Sequence, residues 1–376
     1  MPLQRGTIII FTTEFCIVVS TDSYQQEIRS ATIVDTDIHL RVPPEKLAKY
    51  VDEPHKGYLK GPFGSTNDII WDVTMGEKIQ HKKFETAADV ERDVMGELNV
   101  DVPIVNTFGK LSYLPQTDRA VAFMRGYNQY LLDQVLDRNE NIYGLAEIAP
   151  QKPDLAAEMI DDLADEDQIV GVFALTTGAY PPLGDERYDI MYRAAEDNGL
   201  PFAFHASAGS AFKHEFPRQH QGFETWFEMH TMAHFWSQSM TLTSLIRNGT
   251  PVKFPDLDFV MLESGLGWVP YMMYRLNKEY SMRQGEAPLL DRSPESYIRD
   301  SFHFSSQPLG EPDDPGHMRH IIEMVGIDSL LFASDYPHYD FDHPSALYKH
   351  LRSHFDEDER KRVLTENPLS IYDIQL

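Results

Sequence analysis

Cysteine is nearly absent: Cys16 is the single one in 376 residues. A lone thiol permits no intrachain disulfide and no Cys-based zinc site, and it fits a reducing, cytoplasmic setting. Positive charge is also scarce, with 33 Lys+Arg against 59 Asp+Glu and a formal net of -26. Such a surface repels nucleic acid and anionic lipid, so neither is an expected partner. No run reaches the roughly 18 uninterrupted apolar residues that read as a membrane span. The apolar stretch TIIIFTTEFCIVVS (7–20) follows Arg5, but Glu14 interrupts it. No small-x-small cleavage site follows either, so a secretory leader is not expected. Residues 1–31 read instead as an N-terminal extension, or as one strand packed on the bottom of the main fold. Familiar catalytic signatures are missing too. GLGW sits in no GxGxxG or Walker pattern, no Ser lies in GxSxG, and HTMAH lacks the Glu of HExxH.

What is present is a repeating alternation. Apolar runs of strand length occur at 32–38, 102–108, 142–148, 169–175, 201–206, 257–262, 301–305 and 329–334. Continuous apolar character marks strands buried on both faces, as in parallel sheets. Amphipathic helical segments fall between them, at 118–139, 153–166 and 187–199. Eight such units predict one (β/α)8 barrel domain over 32–376. A doubly wound sheet would carry a Gly-rich first turn, and none follows the first strand. Two connections, 40–86 and 207–256, are too long for simple crossovers. Both leave C-terminal strand ends, and they read as lids or subunit contacts.

The C-terminal rim of a barrel gathers residues from remote strands into one space. The first strand runs IVDTDIHLR (33–41), placing Asp37 and His39 two apart and so on one face. His205 ends the fifth strand, Glu263 the sixth and Asp335 the eighth. Each has an ordinary alternative: a core histidine, a helix cap for Asp335, a hydrated turn for DTDIH. Together those alternatives would crowd ionisable groups into an apolar barrel at high desolvation cost, which a cation relieves. Nitrogen and oxygen donors without thiolate suit zinc first, with manganese or iron as alternatives. Asp35 would sit one pleat deeper and orient a ligand. Arg41, Trp268, His303, His338 and Phe108 are placed near strand ends, where they would line the substrate pocket. His230 and His234, four apart on a predicted helix, read as a helix face near the pocket mouth rather than as ligands.

DxDxH on the first strand, FHASAG on the fifth and ASDYPH on the eighth resemble the amidohydrolase-related family, which includes aminocarboxymuconate semialdehyde decarboxylase. The likeness extends to MLESGLGWVPYMMYRLN (261–277) and FSSQPLGEP (304–312), spanning residues 32 to about 370. The resemblance implies a single divalent metal held by Asp37, His39, His205 and Asp335. Two departures stand out. Asp37 replaces the first His of an HxH motif, which makes the site harder and favours manganese somewhat more. Glu263 stands where decarboxylating relatives carry a catalytic His.

The leading expectation is a metal-dependent hydrolase of a small carboxylated or aromatic substrate. Metal-bound water would attack, Asp335 would take its proton, and Glu263 would be a second proton carrier or would orient His205. The alternative is nonoxidative decarboxylation at the same site, with Glu263 as acid. A third is a catalytically silent, metal-stabilised barrel working in an assembly. A homodimer is the default oligomer.

Overall fold

The computed structural model describes residues 7–11, 16–20, 27–28, 30–59, 83–107, 111–206, 224–310 and 312–376. The middles of both long connections, and Phe108, lie outside the described residues, so the lid expectation and that pocket position do too. Two short strands, β1 (Thr7–Phe11) and β2 (Cys16–Ser20), pair antiparallel with each other. They form a separate two-stranded sheet, in place of the single expected strand.

Eight parallel strands follow in sequential order: β3 (Val34–His39), β4 (Val102–Asn106), β5 (Tyr143–Glu147), β6 (Ile169–Leu175), β7 (Phe202–His205), β8 (Phe259–Leu262), β9 (Phe302–Ser305) and β10 (Leu330–Leu331). The sheet closes on itself where Ile38 bridges Tyr336. Three backbone bonds support the seam: Thr36 N to Phe332 O (3.1 Å), Asp335 N to Asp37 O (3.0 Å) and His39 N to Tyr336 O (2.8 Å). The eight parallel strands with helices between them make a (β/α)8 barrel. Every residue of β3, β4 and β6 is buried, which is why these strands read as unbroken apolar runs. The last strand is shorter than its apolar run, because beyond Leu331 the chain bonds across the seam to β3.

The helical layer packs on the outer face of the strands. Tyr192, on the helix Asp189–Asp197, contacts Phe202, Phe204, Phe254 and Phe259 edge-on or tilted. The long connection after β7 contains a 22-residue helix, Trp226–Arg247. It starts at a capping box, in which Glu228 N donates to Thr225 Oγ1 and Glu228 Oε2 accepts from Thr225 N. Gln238 of this helix is fully buried and donates through Nε2 to the carbonyls of Phe204 and Leu262, each at 2.8 Å. One amide thus ties the helix to the ends of β7 and β8.

Candidate metal centre

Asp37 and His39 project from the end of β3, and His205 is the last residue of β7. Asp335 follows β10 in a turn with φ 63°, and Glu263 follows β8 with φ 47°. A non-glycine residue at positive φ is strained, and such strain concentrates at functional sites. Gly265, φ 64°, completes the turn after Glu263 and donates from its N to Gln307 O (3.1 Å). A Cβ there would meet the Pro308 carbonyl oxygen at 2.8 Å, so the turn that aims Glu263 requires glycine.

The side chains converge. His39 Nε2 lies 2.8 Å from Asp335 Oδ1 and 3.4 Å from Asp37 Oδ1. His205 Nε2 lies 3.3 Å from Asp37 Oδ2 and 3.0 Å from Glu263 Oε2. Ligand atoms of Asp37, His39, His205 and Asp335 all fall within 4.8 Å of one another, and all four residues are buried. Atoms each about 2.1 Å from a shared ion sit roughly 3.0–3.4 Å apart, so these separations are those of a common coordination sphere. The buried Asp37 Oδ2 accepts no hydrogen bond. The donor set of two imidazoles and two carboxylates fits a divalent metal.

A polar frame orients the donors. Asn106, at the end of β4, sits between two of them: its Nδ2 donates to Asp37 Oδ1 (3.0 Å), and its Oδ1 lies 2.7 Å from His39 Nδ1. That pairing turns His39 Nε2 toward the centre. His205 Nδ1 bonds the Ala206 carbonyl, with the same effect. Gln307 Nε2 donates to Asp335 Oδ2 (3.2 Å), and His338 Nδ1 lies 2.6 Å from Asp335 Oδ1. Asp35 Oδ1 accepts from Ser334 N (2.9 Å) and Asp37 N (3.3 Å), so it braces the seam between the ligand-bearing loops.

Charge in this space is one-sided. Burial, reinforced by Glu263, Asp340, Asp37 and Asp342, pushes Asp335 well above the usual carboxyl range. Burial pushes Asp35 up to about 7, against the Ser334 hydrogen bonds that lower it. Burial acts upward on Asp37 too, but the His39 and His205 imidazoles outweigh it and hold it low. Arg41 is mostly buried, which depresses its pKa. Its Nη2 donates to the Pro337 carbonyl (2.8 Å), beside the Asp335 turn.

The remaining expected pocket residues divide. His338 and Arg41 are at the site. Trp268 packs against Phe235 and Phe304, and its indole N–H donates to Gly265 O (3.1 Å). Its role there is to support the Glu263 turn from the helical layer. His303 is a correction. It is the second residue of β9, and its Nε2 pairs with Asp258, just before β8, at 3.0 Å. That is the N-terminal end of the barrel, away from the metal cluster. The sequence reading set His230 and His234 on a helix face near the pocket mouth, and His234 is buried there with its Nε2 3.4 Å from Glu263 Oε1. That reading missed Asn106 and Gln307 altogether. A polar residue closing the otherwise apolar VPIVN was the available signal for Asn106.

Known proteins are similar to this chain over most of its length. A family model described as Amidohydrolase matches residues 36–374. The gamma-resorcylate decarboxylase of Rhizobium sp. (strain MTP-10005) is 23% identical over 283 residues, 72% of this chain and 82% of that protein. The 5-carboxyvanillate decarboxylase from Sphingomonas paucimobilis is similar in fold, with TM-score 0.72 at 18% identity, covering 92% of this chain and 100% of that one. A second 5-carboxyvanillate decarboxylase, from Novosphingobium aromaticivorans DSM 12444, gives TM-score 0.70 at 17% identity over 92% and 97% of the two chains. That structure holds manganese and 4-hydroxy-3-methoxy-5-nitrobenzoic acid. With the family match running from the first strand of the barrel to the C-terminal helices, this chain belongs to the amidohydrolase family of enzymes.

Proposed function

We propose that the protein is a metal-dependent, nonoxidative decarboxylase of a small hydroxybenzoate-type acid. Asp37, His39, His205 and Asp335 would hold one divalent ion, with manganese now preferred to zinc. Two features support the lyase reading over the hydrolase first expected: the gamma-resorcylate decarboxylases similar across some 70% of the chain, and the pairing of Asp335 with His338. Hydrolysis asks that residue for a base. Its contact with His338 Nδ1 at 2.6 Å instead suits it to take a proton from that imidazole and deliver it as an acid.

When bound, the divalent ion would supply positive charge that gathers and orients the substrate's carboxylate and hydroxyl oxygens. The chain's own groups do the rest. Asp335 donates its proton to the ring carbon bearing the carboxylate. The bond between that carbon and the carboxylate then breaks, its electron pair returns to the ring, and CO2 departs. His338, 2.6 Å away, returns a proton to Asp335 from solvent. Glu263 Oε2, 3.0 Å from His205 Nε2, lies on the metal-facing side of that ring and would add negative charge beside the ion.

The observation that carries this reading is the Asp335–His338 pair, 2.6 Å apart, set at the edge of a buried cluster of two imidazoles and two carboxylates. The test incubates manganese-loaded enzyme with a panel of hydroxybenzoates in D2O, alongside esters and lactones in H2(18)O. Decarboxylation predicts CO2 release with one deuterium on the ring. Incorporation of 18O into product without CO2 would instead establish hydrolysis.

A further inference from the structure

Glu263 has two faces. Its Oε2 lies 3.0 Å from His205 Nε2, in the cluster described above. Its Oε1 points the other way, 3.4 Å from His234 Nε2. His230 lies one helical turn before His234 on the same face of Trp226–Arg247, ring centroids 4.9 Å apart. Donor atoms of His230, His234 and Glu263 fall within 4.8 Å of one another. We propose that His230, His234 and Glu263 hold a second divalent transition-metal ion, with Glu263 bridging it to the first site.

Three arguments converge. Two histidines at i and i+4 with a carboxylate from a separate element form a three-donor set that leaves positions open for water or substrate. The 3.4 Å between His234 Nε2 and Glu263 Oε1 is about the distance between two ligands of one tetrahedral ion. Charge calls for the ion as well. Asp37, Glu263, Asp340 and Asp342 all lie close to Asp335, and one divalent cation offsets only two of those four carboxylates. Asp340 Oδ2 lies 3.6 Å from His230 Nε2, close enough to add negative charge around the same ion. The helix is a firm platform, since Gln238 pins it to the ends of β7 and β8.

The proposal rests on the first cation site but not on the reaction assigned to it. Full-length protein is stripped by chelation, then titrated with Mn2+ or Zn2+ by calorimetry and elemental analysis. Wild type is expected to take two equivalents per chain. His230→Ala and His234→Asn should each take one, with the tighter event retained. Manganese-loaded wild type should show a spin-coupled pair by electron paramagnetic resonance, replaced by an isolated-ion signal in both variants. His205→Ala should weaken the tighter event, which separates failure of the first site from failure of the second. Circular dichroism checks each fold; should His234→Asn misfold, the half-buried His230 variant decides alone. One equivalent in wild type at millimolar metal, or two retained in His230→Ala, overturns the second site.

Discussion

His338 Nδ1 lies 2.6 Å from Asp335 Oδ1, the same oxygen that His39 Nε2 approaches at 2.8 Å from the other side. Asp335 is thus held between an imidazole facing the cluster and one facing the loop. The arrangement predicts unequal consequences. Asp335→Asn keeps size and loses the transferable proton, so turnover should fall about 100- to 10,000-fold, the usual worth of positioned proton transfer. Binding of an aromatic inhibitor should change little by comparison. His338→Gln should cost less, because Asp335 keeps its own proton for each encounter and only its resupply slows. Steady-state kinetics with a parallel inhibitor titration checks both. Equal, mild losses in turnover and binding would remove Asp335 from the proposed role.

Asn106 spans two candidate ligands, and its replacement separates orientation from ligation. Asn106→Leu withdraws a donor from Asp37 and an acceptor from His39 Nδ1, both fully buried. Loss of such outer partners typically weakens metal binding about 10- to 100-fold. Asn106→Asp restores the acceptor for His39 but sets a carboxylate against Asp37, so it should not rescue affinity. Calorimetric metal titration of the three proteins gives the order. Wild-type affinity in Asn106→Leu would make the amide a packing residue.

How far the sequence foretold this site follows from which forces are local. Strands buried on both faces must be apolar throughout, so all eight were visible as runs, with ends displaced by a few residues. Asp37, His39, His205 and Asp335 were visible because charge at the end of such a run is costly without a partner. His303 was misjudged for a geometric reason: its run is short, and a shift along four residues moves a side chain from one mouth of the barrel to the other. Asn106 and Gln307 look like ordinary polar residues, and their importance arises only when β4 and the β9 loop are brought against β3 and β10. His234 is legible only as a helix face near the pocket mouth, because its reach to Glu263 depends on where Gln238 fastens that helix.

Metal removal should affect stability as well as activity. The barrel end buries the Asp37 and Glu263 carboxylates against the same His205 ring, at 3.3 and 3.0 Å, so the cation-free protein keeps their negative charge in a low-dielectric space. Ligand linkage gives about 2.7 kcal/mol of stabilisation at a hundredfold excess of metal over Kd. Chelation is therefore expected to lower Tm by several degrees without loss of secondary structure, and Mn2+ should restore both Tm and activity. Differential scanning calorimetry with and without chelator measures it. An unchanged Tm alongside lost activity would show that the fold tolerates the bare cluster, and would weaken the electrostatic case for an ion.

The helix Trp226–Arg247 is clamped from two sides, and this makes Gly184 a sensitive position. Gly184 N donates to Ser244 Oγ (3.1 Å), and a Cβ at Gly184 would collide with the Ser244 carbonyl and with Leu245 N. These are backbone atoms, so no rotamer change relieves the clash. On its inner side the helix cannot slide freely, because Gln238 is bonded to the Phe204 and Leu262 carbonyls. Gly184→Ala should therefore destabilise the fold by about 1–3 kcal/mol, the usual cost of overpacking. Gly199→Ala is the comparison: nothing lies within 4 Å of its Cβ position, so only the strain of φ 66° applies, about 1–2 kcal/mol. The two variants differ in a second readout. Gly184→Ala displaces the helix carrying His230 and His234, so the weaker metal equivalent should loosen while the strand-held one persists. Gly199→Ala should leave both unchanged. Identical metal binding in the two variants would mean that the helix yields to the added methyl without moving its histidines.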